Sequence, residues 1–61
     1  MNIELRNARK KAGFTQKELA EKIGVSEHGY QNYETERRLP NVKIAIKIAD
    51  ELNVKDLRKI F

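Results

Sequence analysis

Hydrophobic positions recur every three to four residues along most of the chain, the spacing of helices that bury one stripe. Ile3 to Ala12 puts Leu5, Ala8 and Ala12 on one face and stops at Gly13, which takes positive φ cheaply. Arg9 falls on that same apolar face. In the second segment Thr15 is an N-cap, and Glu18 three residues on completes a capping box. Phe14 and Leu19 have the spacing of a hydrophobic staple, Leu19, Ala20 and Ile23 form the inward stripe, and Gly24 ends the helix. A third helix starts at the cap Ser26, with Val25 and Tyr30 as a second staple and Tyr30, Tyr33 and Glu34 on one side. Gly29 lowers its helix propensity by up to about 1 kcal/mol relative to Ala, which calls for a reason such as close approach of a neighbouring backbone.

Thr35 to Pro40 reads as a loop. Asn41 then caps a fourth helix running to about Leu52, with the stripe Ile44, Ala45, Ile48, Ala49 and Leu52 widened by Val42 and Ile46. Asn53 suits the position just past the helix, and a fifth helical turn follows with Leu57, Ile60 and Phe61 on one face. The pattern predicts an all-α, compact five-helix domain over residues 1–61, with a helix-turn-helix at about residues 15–34.

Size sharpens this picture. A chain of 61 residues makes one domain, and at that size only about 60% of the unfolded surface is buried. With no Cys and a single His there is neither a disulfide nor a zinc site to staple it. Helix packing, aided by dimerisation, is what remains. No apolar run approaches the roughly 18 residues of a membrane span, and Met1 to Arg6 lacks the apolar core of a signal peptide. The expectation is a cytoplasmic protein with no membrane contact. A net charge of +4 and a pI of about 9.6 lean toward a polyanionic partner.

A DNA-reading helix needs one face to hold it and the opposite face free for base edges. Opposite Tyr30, Tyr33 and Glu34 stand His28 and Asn32, with Gln31 and Thr35 less central. Asn or Gln bonds bidentately to adenine and His donates to guanine; Glu27 either suits the positive helix end or accepts from a cytosine amino group. A plain solvated face is the alternative. Against it, Ser26 to Tyr33 holds no Lys or Arg, yet Lys10, Lys11, Lys17, Arg37, Arg38, Lys43 and Lys47 flank it. Uncharged readers framed by phosphate clamps fit the division in which phosphate contacts position and base contacts specify. Gln16 begins helix 2, where amide groups and the dipole favour a phosphate, or is a plain first-turn residue. Arg9 and Glu34 both face inward with opposite signs. Burying either alone is costly, so the pattern predicts that they pair and tie helix 1 to the end of helix 3.

Together these residues resemble the Cro and lambda-type repressor group, the XRE family of helix-turn-helix regulators, over nearly the whole sequence. The carriers are Leu5-x-x-x-Arg9, Gly13-Phe14-Thr15-Gln16-x-x-Leu19-Ala20, Gly24-Val25-Ser26, Tyr33-Glu34, Arg37-Arg38-x-Pro40 and the run Ile48-Ala49 to Asn53-Val54. The resemblance implies a lambda-repressor-like fold and a homodimer on a double-stranded operator of two-fold symmetry. It implies a nucleoid-associated transcriptional repressor of a phage or mobile element. It places Glu27, His28 and Asn32 at base edges, Gln16 at a phosphate, and Thr35, Arg37 and Arg38 in a loop that contacts phosphate. The residue pattern itself adds Gln31 to the base-reading edge and Thr15, Lys17 and Lys43 to the phosphate contacts. Three positions depart from the family pattern: Gly29 stands where Ser, Thr or Ala is usual, Tyr30 replaces the common Ile, and Glu36 replaces Gly after helix 3. The resemblance therefore implies a Tyr30 ring that is only partly buried and a helix 3 that ends differently.

Catalysis is disfavoured, because the one nucleophile-base pair within reach, Ser26 and His28, does not face across i, i+2. No cofactor, metal or small-molecule ligand is expected. The competing reading is an antitoxin-like module whose main partner is a regulatory protein. Its surface, or the dimer surface, would be Leu57, Ile60 and Phe61; otherwise these three close the core.

Overall fold

A computed structural model describes all residues, 1–61. Four α-helices follow one another: α1 (Ile3–Lys11), α2 (Gln16–Ile23), α3 (Glu27–Glu34) and α4 (Val42–Glu51). A 3₁₀ turn at Leu57–Lys59 closes the chain. α2 packs on both α3 and α4, α1 packs on α3, and the 3₁₀ turn packs on α4.

All four helices begin and end by one device each. Asn2, Thr15, Ser26 and Asn41 are extended residues whose side chains accept the amide of the third helical residue. At Thr15 the capping box is complete, and the backbone hydrogen bond from Thr15 holds the Glu18 carboxyl below its usual range. At the other end each helix is followed by one left-handed residue, namely Gly13, Gly24, Glu36 and Asn53. The next amide then folds back onto the helix: Phe14 to Arg9 O, Val25 to Ala20 O, Arg37 to Asn32 O and Val54 to Ala49 O. This is the Schellman arrangement, with Val25 and Val54 also packed against the core. Short helices of eight to ten residues cannot stand alone, so capping and packing must supply what propagation cannot.

Every helix and the last turn contribute to one core of Leu5, Leu19, Ala20, Ile23, Tyr30, Ile48, Ala49, Leu52 and Ile60. Asn2 ties this core together from outside. Its backbone amide donates to Glu34 O at 2.7 Å, and its Nδ2 donates to Ile60 O at 2.6 Å. The start of α1 is thereby bonded to the end of α3 and to the last turn.

Five expectations are corrected. α3 does not end differently, because Glu36 takes the left-handed conformation of the usual Gly and Arg37 N still bonds to Asn32 O. The fifth helix is a three-residue 3₁₀ turn, held by the i→i+3 bonds Lys59 to Asp56 and Ile60 to Leu57, with a single i→i+4 bond from Phe61 to Leu57 closing its end. Val42 and Ile46 do not widen the buried stripe and are 72% and 46% exposed. At 100° per residue they lie about 80° and 120° from its centre. Tyr30 is fully buried, since its hydroxyl has a partner and the whole ring can leave water. Gly29 meets no foreign backbone; a Cβ there would lie 3.1 Å from Ser26 Oγ, the hydroxyl that caps its own helix.

Candidate nucleic-acid interface

One carboxylate organises the junction of α1, α2 and α3. Glu34 ends α3 and is 3% exposed. Arg9 Nε donates to Glu34 Oε2 at 2.6 Å, and Tyr30 Oη donates to the same oxygen at 2.5 Å. Gln16 Nε2 donates to Oε1 at 3.0 Å. Arg9 also donates through Nη1 to Phe14 O at 2.7 Å, which fixes the loop entering α2. Burial pushes the Glu34 carboxyl up, but the hydrogen bonds from Arg9, Tyr30 and Gln16 outweigh it and hold it below the usual carboxylate range. Burial and the bond to Glu34 push the Tyr30 phenol well above its usual range. No buried side-chain polar atom in the domain lacks a partner.

This junction sets the angle between α2 and α3. It also occupies Gln16, whose amide nitrogen already serves Glu34. At the start of α2 the Thr15 hydroxyl accepts from Glu18 N and keeps its own proton free to donate. The first amides of a helix, here those of Gln16 and Lys17, have no intrahelical acceptor. Thr15, Gln16 and Lys17 line a cleft of about 710 Å³ together with Arg6, Lys10 and Glu27.

Along α3, Glu27 and His28 are exposed and Gln31 and Asn32 are half-buried. Past its end, Arg37 and Arg38 are exposed, and both backbone amides bond to Asn32 O. Their guanidinium groups make no ion pair within the domain. Thr35 uses its hydroxyl proton on Gln31 O at 3.0 Å. Lys43 stands apart from the cleft, exposed in the first turn of α4. The apolar end is divided: Ile60 is buried, Leu57 is half-buried against the core, and Phe61 is 39% exposed.

Sequence reasoning did not identify Asn2 as the tie to α3, nor Arg6 as a cleft residue. Asn just before a helical run is a readable N-cap signal, but its bonds to residues 34 and 60 depend on the tertiary fold.

A family model described as Helix-turn-helix matches residues 5–59. The chain belongs to the XRE-type helix-turn-helix family. One helix-turn-helix relative is the HTH-type transcriptional regulator ImmR of Bacillus subtilis (strain 168). It is 42% identical over 50 residues, which cover 82% of this chain and 39% of the relative. Another is the cryptic phage CTXphi transcriptional repressor RstR of Vibrio cholerae serotype O1 (strain ATCC 39315 / El Tor Inaba N16961). It is 40% identical over 50 residues, 82% of this chain and 45% of the relative. The matched part thus spans about two fifths of the curated relatives' length. No solved structure gives a significant match. Within the matched residues, α2 and α3 are joined through the left-handed Gly24. No helix is long and apolar enough to cross a membrane.

Proposed function

We propose that this chain binds double-stranded DNA sequence-specifically and represses transcription as a homodimer on an operator of two-fold symmetry. One observation carries the reading. The side chains of Glu27, His28, Gln31 and Asn32 make no hydrogen bond within the domain, although Gln31 and Asn32 are half-buried. They form a polar edge without internal partners and open to solvent, on a helix whose opposite side is locked by Tyr30 and Glu34. Amide groups held that way match adenine edges, and His28 and Glu27 add a donor and an acceptor.

Phosphates flanking the groove meet the Thr15 hydroxyl, the amides of Gln16 and Lys17, and the side chains of Lys17, Arg37 and Arg38. Thr35 serves a phosphate only by releasing its bond to Gln31 O. The protein acts in the cytoplasm on the nucleoid, without a cofactor. A regulatory protein partner is the second reading, favoured by the exposed Leu39 and Phe61 beside one groove. Fluorescence anisotropy against a cognate and a scrambled duplex tests the first reading. It requires the cognate to bind at least about 10³-fold more tightly, whereas equal affinity for both would refute it.

A further inference from the structure

α4 carries end charges that run against its own helix dipole. Its first turn holds Lys43 and no acidic residue, and its last turn holds Asp50 and Glu51 and no basic residue. Each sign opposes the helix dipole, which favours acids at the N-terminal end and bases at the C-terminal end. Neither Lys43 nor Asp50 has an ion partner in the domain. Both are exposed, and between them stands Ile46, 46% exposed, with Val42 one turn earlier at 72%. At 100° per residue Lys43, Ile46 and Asp50 lie within about 60° of one another, and Val42 borders them. Beside this ridge runs a groove of about 360 Å³ lined in part by Ile46, Ala49, Val54 and Leu57.

We infer that α4 is the homodimer seam, packed antiparallel on α4 of a second copy about a two-fold axis passing beside Ile46. Lys43 precedes Ile46 by three residues and Asp50 follows it by four, so such an axis sets Lys43 opposite Asp50 of the second copy, twice. Val42 then faces the groove between α4 and the 3₁₀ turn of the other copy. The patch is self-complementary, as an isologous contact must be, and the paired helices oppose their dipoles. Lys43 is thereby taken from phosphate contact and given to the seam.

The seam is compatible with the DNA reading, on whose homodimer it rests. Two copies side by side lie about one domain width apart, 21–24 Å. Recognition helices about 34 Å apart must therefore sit on the flanks away from the axis. α3 packs on α1 and α2, while α4 turns its other side to α2 and the last turn. One helix pair covers less than the roughly 800 Å² per partner of a standard interface. The free dimer is accordingly weak and is strengthened by DNA.

The chain has no Cys, so single cysteines report proximity cleanly. Ile46→Cys, treated with a short bismaleimide without DNA, should cross-link far faster than Phe61→Cys, which reports the rival C-terminal surface. In sedimentation equilibrium, Lys43→Asp and Asp50→Lys should each weaken self-association at least about fivefold, and the double variant should restore it. Equal or faster cross-linking at Phe61→Cys, or collision-rate cross-linking at both, overturns the seam. A double variant no better than Asp50→Lys alone does the same. These measurements need no DNA, so they fail independently of the DNA reading, which sequence selection judges.

Discussion

Arg9 and Glu34, 25 positions apart in the chain, meet through Nε and Oε2 at 2.6 Å in a site from which water is nearly excluded. The pair does not act by Coulomb attraction alone. Glu34 also accepts from Tyr30 and Gln16, and Arg9 also donates to Phe14 O. Three helices and one loop are thus oriented by a single carboxylate.

Removing one partner leaves the other charged and unpaired. Glu34→Leu or Arg9→Met should each cost about 3–5 kcal/mol, most of the stability of so small a domain. Arg9→Met combined with Glu34→Leu removes both charges, and should be less destabilised than the sum of the two single variants. Urea unfolding followed by circular dichroism measures all three; additive losses would argue against a coupled pair.

The same pair predicts an acid limb. The Glu34 carboxyl titrates lower in the folded chain than in the unfolded one, where it lies near 4.3. Its contribution is therefore complete above about pH 5 and is lost as pH falls through the folded value. Unfolding curves from pH 7 to pH 3 should show stability falling below about pH 4. The fall should be shallower in the Arg9→Met, Glu34→Leu variant, and equal slopes would exclude Glu34 as its source.

Glu36 is left-handed at φ 65°, in the place that Gly13 and Gly24 fill after α1 and α2. A side chain with a Cβ costs about 1–2 kcal/mol in that conformation. Glu36→Gly should therefore raise stability by about 1 kcal/mol, seen as a higher urea midpoint at unchanged slope. A lower midpoint would mean that the carboxylate stabilises the fold in its own right.

The polar edge and the basic flank should behave differently on DNA. Asn32→Ala or Gln31→Ala should cost about 1–3 kcal/mol on the cognate site and little on other sequences. Arg37→Ala or Arg38→Ala should weaken every sequence alike and reduce the salt slope by about one. Affinity measured at four salt concentrations separates the two patterns.

Much of this was legible because local chemistry decided it. Thr15, Ser26 and Asn41 mark helix starts, Gly13 and Gly24 mark ends, and the periodicity of Leu19 to Ile23 gives the buried side. Two inward charges, Arg9 and Glu34, were visible as anomalies of pattern. The outer side of α4 was misread, since Val42 and Ile46 obey helical spacing while the neighbours that would cover them are absent. Tyr30 was misjudged because burial of its ring depends on a hydroxyl partner one turn away. The bonds from Asn2 to residues 34 and 60 join segments that only the folded chain brings together, and no local signal encodes them.

Selection of bound duplexes from a random pool, followed by sequencing, tests the central claim most directly. The account predicts one enriched motif with two inverted half-sites whose centres lie about one helical turn apart. It also predicts that Asn32→Ala loses information at one or two positions in each half-site. A pool that enriches no motif, or one unchanged by Asn32→Ala and Gln31→Ala, would contradict it.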